Sequence, residues 1–534
     1  MSAETGSLYI WYFKVYVRKL IKTWDNKDKV IEDIYNNGYL PPGAIMQDRL
    51  EKTLQQFLGN SASRIIKTGQ DILMEVDQEV LEPVLTEFIS NPEISLTVLK
   101  GLSSGGSSAG SKEAGSMIAD ITGKNISFSL FLKVRLREGQ TNKNQAAILS
   151  LLAQSYRRAG FCLADHGPEN KLDPGAGTYN QVIGFDGFDI KLSLEDEIIN
   201  TVFIDTSPAR IIKSDFFYDL DIDQLIAYMG RFDYNAGIFG ELVFCQAVEE
   251  LLQLEIPKRA KYIRMLMSEL FRMINHLEYI SNISNILDYD IARNLALLEK
   301  EKILRTTEII TGARVIPNYM RIGGVKADIG SDILKKLKRQ LPLMYKKIKR
   351  IENILVRDFV LVERTTNIGT ITKQLAAEFG ISGPNLRASG SRYDRRKEND
   401  YLSYGDLHFT VPYGRKGDCL ERISIRFAEI YQSIKIIGQV VSKIPMGPVI
   451  KKINLLHLDL NLSAFASSVE CPHGEMKIFG ELEGKTLQSL AVFGPSKSSL
   501  SLAGTLLEGS SFEDIRLIIA SLDISGGELM EYCY

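Results

Sequence analysis

The 534 residues hold 64 Lys and Arg against 66 Asp and Glu, a formal net charge of −2, so no global field favours nucleic acid as a partner. A hydrophobic fraction of 45% with 24% charged residues is that of a globular chain, and the length allows two or three domains. None of the cysteines (Cys162, Cys245, Cys419, Cys471, Cys533) forms a CxxC pair, which argues against a cysteine-held zinc or iron–sulfur site, and their wide spacing fits a reducing compartment.

Taken in chain order, Leu8 to Lys22 is aromatic and basic, with no acid between Glu4 and Asp25. Such a segment suits an organelle-targeting peptide or an anionic membrane surface, or else a first helix or strand with packed aromatics, the reading we favour because Arg and Ser are few. Residues 1–100 read as a mostly helical extension, interrupted by Pro41-Pro42, Pro83 and Pro92. Residues 101–116 are a linker by composition, since Gly and Ser have little to bury. Residues 117–177 form a small α/β segment of unknown role, with a strand at Ile126–Leu136 and a helix at Gln145–Arg158, and 178–534 a further domain.

Phe188–Leu194 and Asn200–Ile204 look like strands joined by the acidic turn Glu195–Glu197. From about Leu220 the pattern turns helical. Ile263, Leu266, Met267, Leu270, Ile274 and Leu277 follow helical spacing behind Pro257, where proline is tolerated. Further helices are predicted near 292–312, 333–360, 371–379 and 419–443. Strands near 476–482 and 489–493 and a helix near 512–520 close the chain. No uninterrupted apolar run approaches the ~20 residues of a membrane-spanning helix.

Six separated segments carry a resemblance, in matching order. They are Pro257–Arg264 with Glu269–Arg272 and Asn275–Leu277; Thr311–Arg314 with Asn318, Tyr319 and Arg321–Val325; Ser382–Pro384 with Leu386–Gly390, Tyr393, Asp394 and Arg396; Gly417 and Asp418 with Arg422, Arg426 and Glu429; Pro472–Glu475; and Ser521–Ile524 with Gly527 and Glu528. From Thr178 onward the chain resembles the quinone-site subunit of respiratory complex I, related to the large subunit of nickel–iron hydrogenases. The fold this implies is α+β but mainly α: a hydrogenase-large-subunit-like helical bundle with small β-elements at its N- and C-terminal ends. It also implies a peripheral-arm subunit of a complex I-like oxidoreductase, passing electrons from NADH (or ferredoxin) to quinone. Iron–sulfur and membrane subunits would be its partners. Quinone is then the substrate, NAD is engaged only through the complex, and this chain holds no metal or cluster. The expected location is peripheral, on the cytoplasmic side of a bacterial membrane or the matrix or stromal side of an organelle inner membrane.

By the same resemblance, Arg231–Tyr234 matches the family's tyrosine motif. Tyr234 would be the quinone's hydrogen-bond donor, and a phenol can also supply a proton as the quinone is reduced. Arg231 would lie near the neighbouring cluster. The family's histidine loop aligns with Gln181–Gly187, where both histidines are gone; Asp186 takes the place of the second and Gly187 is kept. The partner of that histidine, an Asp in the family, aligns with Ile286, with Asp288 and Asp290 close by. A further family histidine aligns with Ile316, and of another segment only Arg210 remains. A His–Asp pair titrates near neutral pH, whereas an Asp with an Ile does not. The alternatives are therefore a modified route of quinone reduction or a catalytically silent paralogue that scaffolds a respiratory complex. A soluble protein of another class with chance matches is the remaining one. Arg272 and His276 read first as structural ties between helices. Gly323-Gly324 and Gly383-Pro384 read as tight turns where backbones meet.

Overall fold

The computed structural model describes residues 181–206, 220–398, 401–452, 463–484 and 486–529 in full, and the strands at 62–68, 71–77, 94–98, 113–123, 129–137, 212–213 and 532–533 by their backbone. The chain divides into two compact units between Phe161 and Cys162.

In the first unit, Ala62–Thr68, Asp71–Asp77, Ile94–Val98, Glu113–Gly123 and Ser129–Arg137 form one five-stranded sheet. Asp71–Asp77 pairs parallel with Ser129–Arg137, and the other neighbours are antiparallel. The expectation of a mostly helical stretch over 1–100 therefore meets strands. Their Ile, Val and Thr content is the β-favouring signal that apolar spacing alone does not weigh. The compositional linker 101–116 also gives up its last residues to a strand beginning at Glu113. The strand expected at Ile126–Leu136 is present as Ser129–Arg137. The segment Leu8–Lys22, the proline breaks and the helix expected at Gln145–Arg158 lie outside the described residues.

The second unit is built on four long helices: Lys258–Ile286, Asp290–Thr311, Ser331–Val356 and Cys419–Lys443. Each packs against two of the others, so they close a bundle. In Ser331–Val356 the buried side chains Leu334, Leu337, Leu341, Met344, Ile348, Ile351 and Leu355 recur every three or four residues and leave the Lys and Arg outside, with Pro342 tolerated on the exposed side. Cys419–Lys443 is started by Asp418, whose carboxylate accepts from the Glu421 N–H at 2.8 Å. Lys258–Ile286 lies at the centre and is buried along nearly its whole length, charged residues included.

Small sheets flank this bundle. Gln181–Phe185, Phe188–Glu195 and Ile198–Asp205 form an antiparallel meander. Ser463–Glu470, Glu475–Glu483 and Thr486–Phe493 form another. The expected acidic turn is there, with Asp196 and Glu197 both at positive φ. Gln181–Phe185, expected as a loop ahead of the first strand, is itself a strand. The helix Pro495–Leu507 packs on Ile198–Asp205, and helices Ile515–Leu522 and Gly526–Leu529 follow. The unit is thus α+β with helix predominant. Among the described residues no helix is long and apolar enough to cross a membrane.

Candidate functional site

The loop between helices Ile222–Met229 and Gly237–Leu251 is wound tightly by glycine. A Cβ on Gly237 would lie 2.2 Å from the Gly230 carbonyl oxygen, and one on Gly240 would lie 2.1 Å from that of Met229. Only glycine permits this closeness. Arg231 is exposed, donates to the Ala227 carbonyl at 2.7 Å and lies over the Tyr228 ring. Phe232 and Asp233 turn inward, while the Tyr234 side chain stands 51% exposed. The phenol is therefore free to meet a partner or ligand, and the residue beside it is a buried anchor.

Asp233 accepts from the Asn235 N–H at 3.0 Å and from the Ser525 hydroxyl at 3.3 Å, and its other oxygen meets His473 Nε2 at 2.9 Å. His473 sits in the tight turn Cys471–Gly474, which Gly383 approaches so closely that a Cβ there would be 2.4 Å from the Gly474 Cα. The other imidazole nitrogen, Nδ1, is 3.1 Å from Asp523. Burial alone would depress this imidazole, yet the carboxylates of Asp523 and Asp233 raise its pKa well above the ordinary value. Burial also pushes Glu528 up to about 7, with His473 opposing and Asp233 adding to it.

Gly526 and Gly527 join the parts. A Cβ on Gly527 would be 2.3 Å from the Phe232 carbonyl oxygen, and one on Gly526 would be 2.5 Å from an Asp186 carboxylate oxygen. The hairpin turn Asp186-Gly187, with Gly187 at φ +85°, thus rests on the same pair of glycines as the Arg231–Tyr234 loop. Asp186 is exposed there. Sequence spacing alone does not bring these two stretches together.

Behind the loop runs a train of buried charges. Arg426 contacts Asp523 at 2.6 Å and His276 Nδ1 at 3.2 Å, and His276 Nε2 meets Glu429 at 2.9 Å. Arg387 joins Glu429 at 2.7 Å to Glu470 at 2.8 Å. Arg396 pairs with Asp394 at 2.7 Å and with Glu269 at 3.0 Å. Arg272 donates to the Glu470 and Cys471 carbonyls. Burial, with Arg426 beside it, lowers the His276 pKa to about 4 against the pull of Glu429. His276 is the interhelical tie expected of it, joining the central helix to Glu429 of Cys419–Lys443, whereas Arg272 ties that helix to the end of strand Ser463–Glu470 rather than to another helix.

The remaining positions singled out in the sequence lie elsewhere. Ile286 packs on the edge of the bundle core, whereas the hairpin's Phe188 and Ile190 belong to a second core. Asp288, at φ +58°, and Asp290 are exposed at the junction of two long helices. Ile316 is half-buried, 3.4 Å from where a Gly230 Cβ would be, and Arg210 is outside the described residues. Gly324, at φ +154°, would clash with the Val449 carbonyl oxygen if it bore a Cβ, in keeping with a close backbone approach. Sequence reasoning gave no role to Glu241. It is fully buried, and one oxygen accepts from the Tyr319 and Met320 N–H groups at 2.8 and 3.0 Å. Its other oxygen lies against Gly230, at the root of the Tyr234 loop.

Residues 293–461 match the family described as respiratory-chain NADH dehydrogenase, 49 Kd subunit. The D subunit of the NADH-quinone oxidoreductase of Methylacidiphilum infernorum is 32% identical over 366 residues, which are 64% of this chain and 88% of that protein. The D subunits of the Desulforamulus reducens and Geobacillus thermodenitrificans enzymes are each 34% identical, over 57% and 58% of this chain and 84% and 85% of their own lengths. With the buried Arg, His and Glu ties of the central helix in place, this chain belongs to the family of NADH-quinone oxidoreductase D subunits, the 49 kDa subunit of the respiratory-chain NADH dehydrogenase.

Proposed function

We propose that the chain is a peripheral-arm subunit of an NADH (or ferredoxin)–quinone oxidoreductase and that the surface carrying Tyr234 forms part of the wall of its quinone-reduction chamber, beside an iron–sulfur subunit. The observation that supports this most is the half-exposed phenol of Tyr234 on a loop whose neighbouring residue, Asp233, is anchored in the interior. A fixed backbone with an outward hydroxyl suits donation to a quinone oxygen, with proton delivery as electrons arrive from the neighbour's cluster. Arg231 offers a fixed positive charge on the same loop. Asp186 and Gly187 stand on the other side of the double glycine as further wall residues. NAD is engaged elsewhere in the assembly, and the association with the membrane is peripheral.

Replacing Tyr234 with Phe in the assembled complex tests this reading. A fall in quinone reductase rate of about 10²-fold or more is expected for loss of a proton donor. An unchanged rate would favour the other reading, a structural paralogue. That reading draws on the exposure of Asp186 and the apolar setting of Ile286, which supply no His–Asp pair.

A further inference from the structure

Asp233, His473 and Glu528 come from three distant segments, yet one ligand atom of each lies within 4.8 Å of the other two, and all three residues are buried. Buried atoms around them lack a hydrogen-bond partner: Glu528 Oε1 and Asn275 Oδ1, and also His473 Nδ1 and Asp523 Oδ2, which face each other at 3.1 Å as an ion pair. The amide nitrogen of Asn275 is 3.1 Å from His473 Nε2, so a half-turn of that amide brings its oxygen to the same side of the ring. Leaving a buried carboxylate oxygen such as Glu528 Oε1 unpaired is costly, and a cation held beside it removes the cost.

We propose that Asp233, His473 and Glu528 form a binding site for a divalent transition-metal cation of the zinc type, with Asp523 as the carboxylate behind the histidine. One imidazole and two carboxylates are ligands such a cation accepts, and three protein ligands leave a fourth position for water or for the Asn275 oxygen. His473 turns Nε2 toward Asp233 and Nδ1 toward Asp523, 3.1 Å away, and Asp523 is itself held by Arg426 at 2.6 Å. A carboxylate on the far nitrogen fixes the ring and strengthens it as a ligand. The ion would join the Tyr234 loop to the Cys471–Gly474 turn and to the C-terminal glycine pair. A search for cysteine pairs passes over such a site.

Zinc and cobalt(II) chloride titrated into the full-length, chelator-treated chain test the proposal, by calorimetry for zinc and by the visible d–d absorption of bound cobalt. Saturable binding is expected, with magnesium failing to compete. E528Q keeps the bond from the Ser496 N–H but loses a charged ligand, and should weaken binding by about tenfold or more, as should H473N. Circular dichroism matching the parent shows that a variant is folded, and E528Q alone suffices if H473N is not. No saturable zinc binding by the parent chain, or parental affinity in a folded variant, overturns the proposal. The readout needs no turnover, so its outcome is separate from that of the quinone assay.

Discussion

Replacing Glu241 with Gln should change how stability depends on pH, in a direction the structure fixes. The carboxyl is fully buried; one oxygen accepts two backbone N–H bonds, and the other, Oε1, has none. Burial raises its pKa from 4.5 to about 7, although the N–H groups of Met320, Tyr319 and Asn318 and the charge of Arg321 pull the other way. A raised carboxyl pKa means that the folded state prefers the proton. Its stabilising contribution is complete below pH 4.5 and is lost as pH rises through 7. At about 1.4 kcal/mol for each pH unit separating the two values, the parent chain loses about 3 kcal/mol across that window on account of this one group. The glutamine oxygen can accept the same two N–H bonds and does not titrate. Urea denaturation of both chains from about pH 4.5 to about 8.5 should therefore show E241Q gaining on the parent by about 3 kcal/mol, then a plateau, as the other titrating groups cancel in the difference. A difference that stays flat with pH, or that turns against E241Q above neutrality, would refute the reasoning.

Arg387 pairs with both Glu429 and Glu470 in full burial, so Arg387→Met should cost about 3–5 kcal/mol, read as a lowered Tm, because two carboxylates lose their counterion. His276, with its folded pKa lowered from 6.5 to about 4, contributes stability that is present above pH 6.5 and lost as pH falls toward 4. The parent should accordingly lose more stability than His276→Gln between about pH 7 and about pH 5 in paired denaturation curves, and parallel losses would count against a neutral buried imidazole. Gly527→Ala drives a methyl into the Phe232 carbonyl oxygen and should displace the Arg231–Tyr234 loop. Quinone reduction should then fall as in Tyr234→Phe while the far-UV circular dichroism stays parental, and an unimpaired rate would detach that loop from the reaction.

Helices were legible wherever one apolar stripe faced the core. Cys419–Lys443 has the bounds its spacing predicts, and Lys258–Ile286 contains the apolar positions from Ile263 to Leu277 that follow helical spacing. Ser463–Glu470 escaped notice because it is buried on both faces and rich in Ser and Ala, so no alternation marks it. Pro495–Leu507 escaped because its run of serines, residues that favour turns and caps, looks like a loop. Tyr234 and Arg231 could be found because their motif is contiguous. The set formed by Asp233, His473, Asp523 and Glu528 could not, since its members lie far apart in sequence and are drawn together by Gly383, Gly526 and Gly527, which the sequence shows only as glycines.

The same reasoning explains why a helix as polar as Lys258–Ile286 can stand at the centre of the unit. Arg264, Glu269, Arg272 and the neutral imidazole of His276 are fully buried, and a burial of this kind is tolerable only when each charge or polar group is met by a partner or by backbone. Arg264 is met by Glu249 in a bidentate pair at 2.6 and 2.8 Å, from the helix just before it. The others are met from much later in the chain: Arg396 and Ser433 for Glu269, the carbonyls of Glu470 and Cys471 for Arg272, and Glu429 for His276. The central helix therefore cannot be desolvated at low cost until residues beyond 385 have docked on it. The Tyr234 loop, anchored through Asp233 to His473, takes its position in that same event. Folding of the bundle and assembly of the candidate site are one cooperative step, because one run of buried charges serves both.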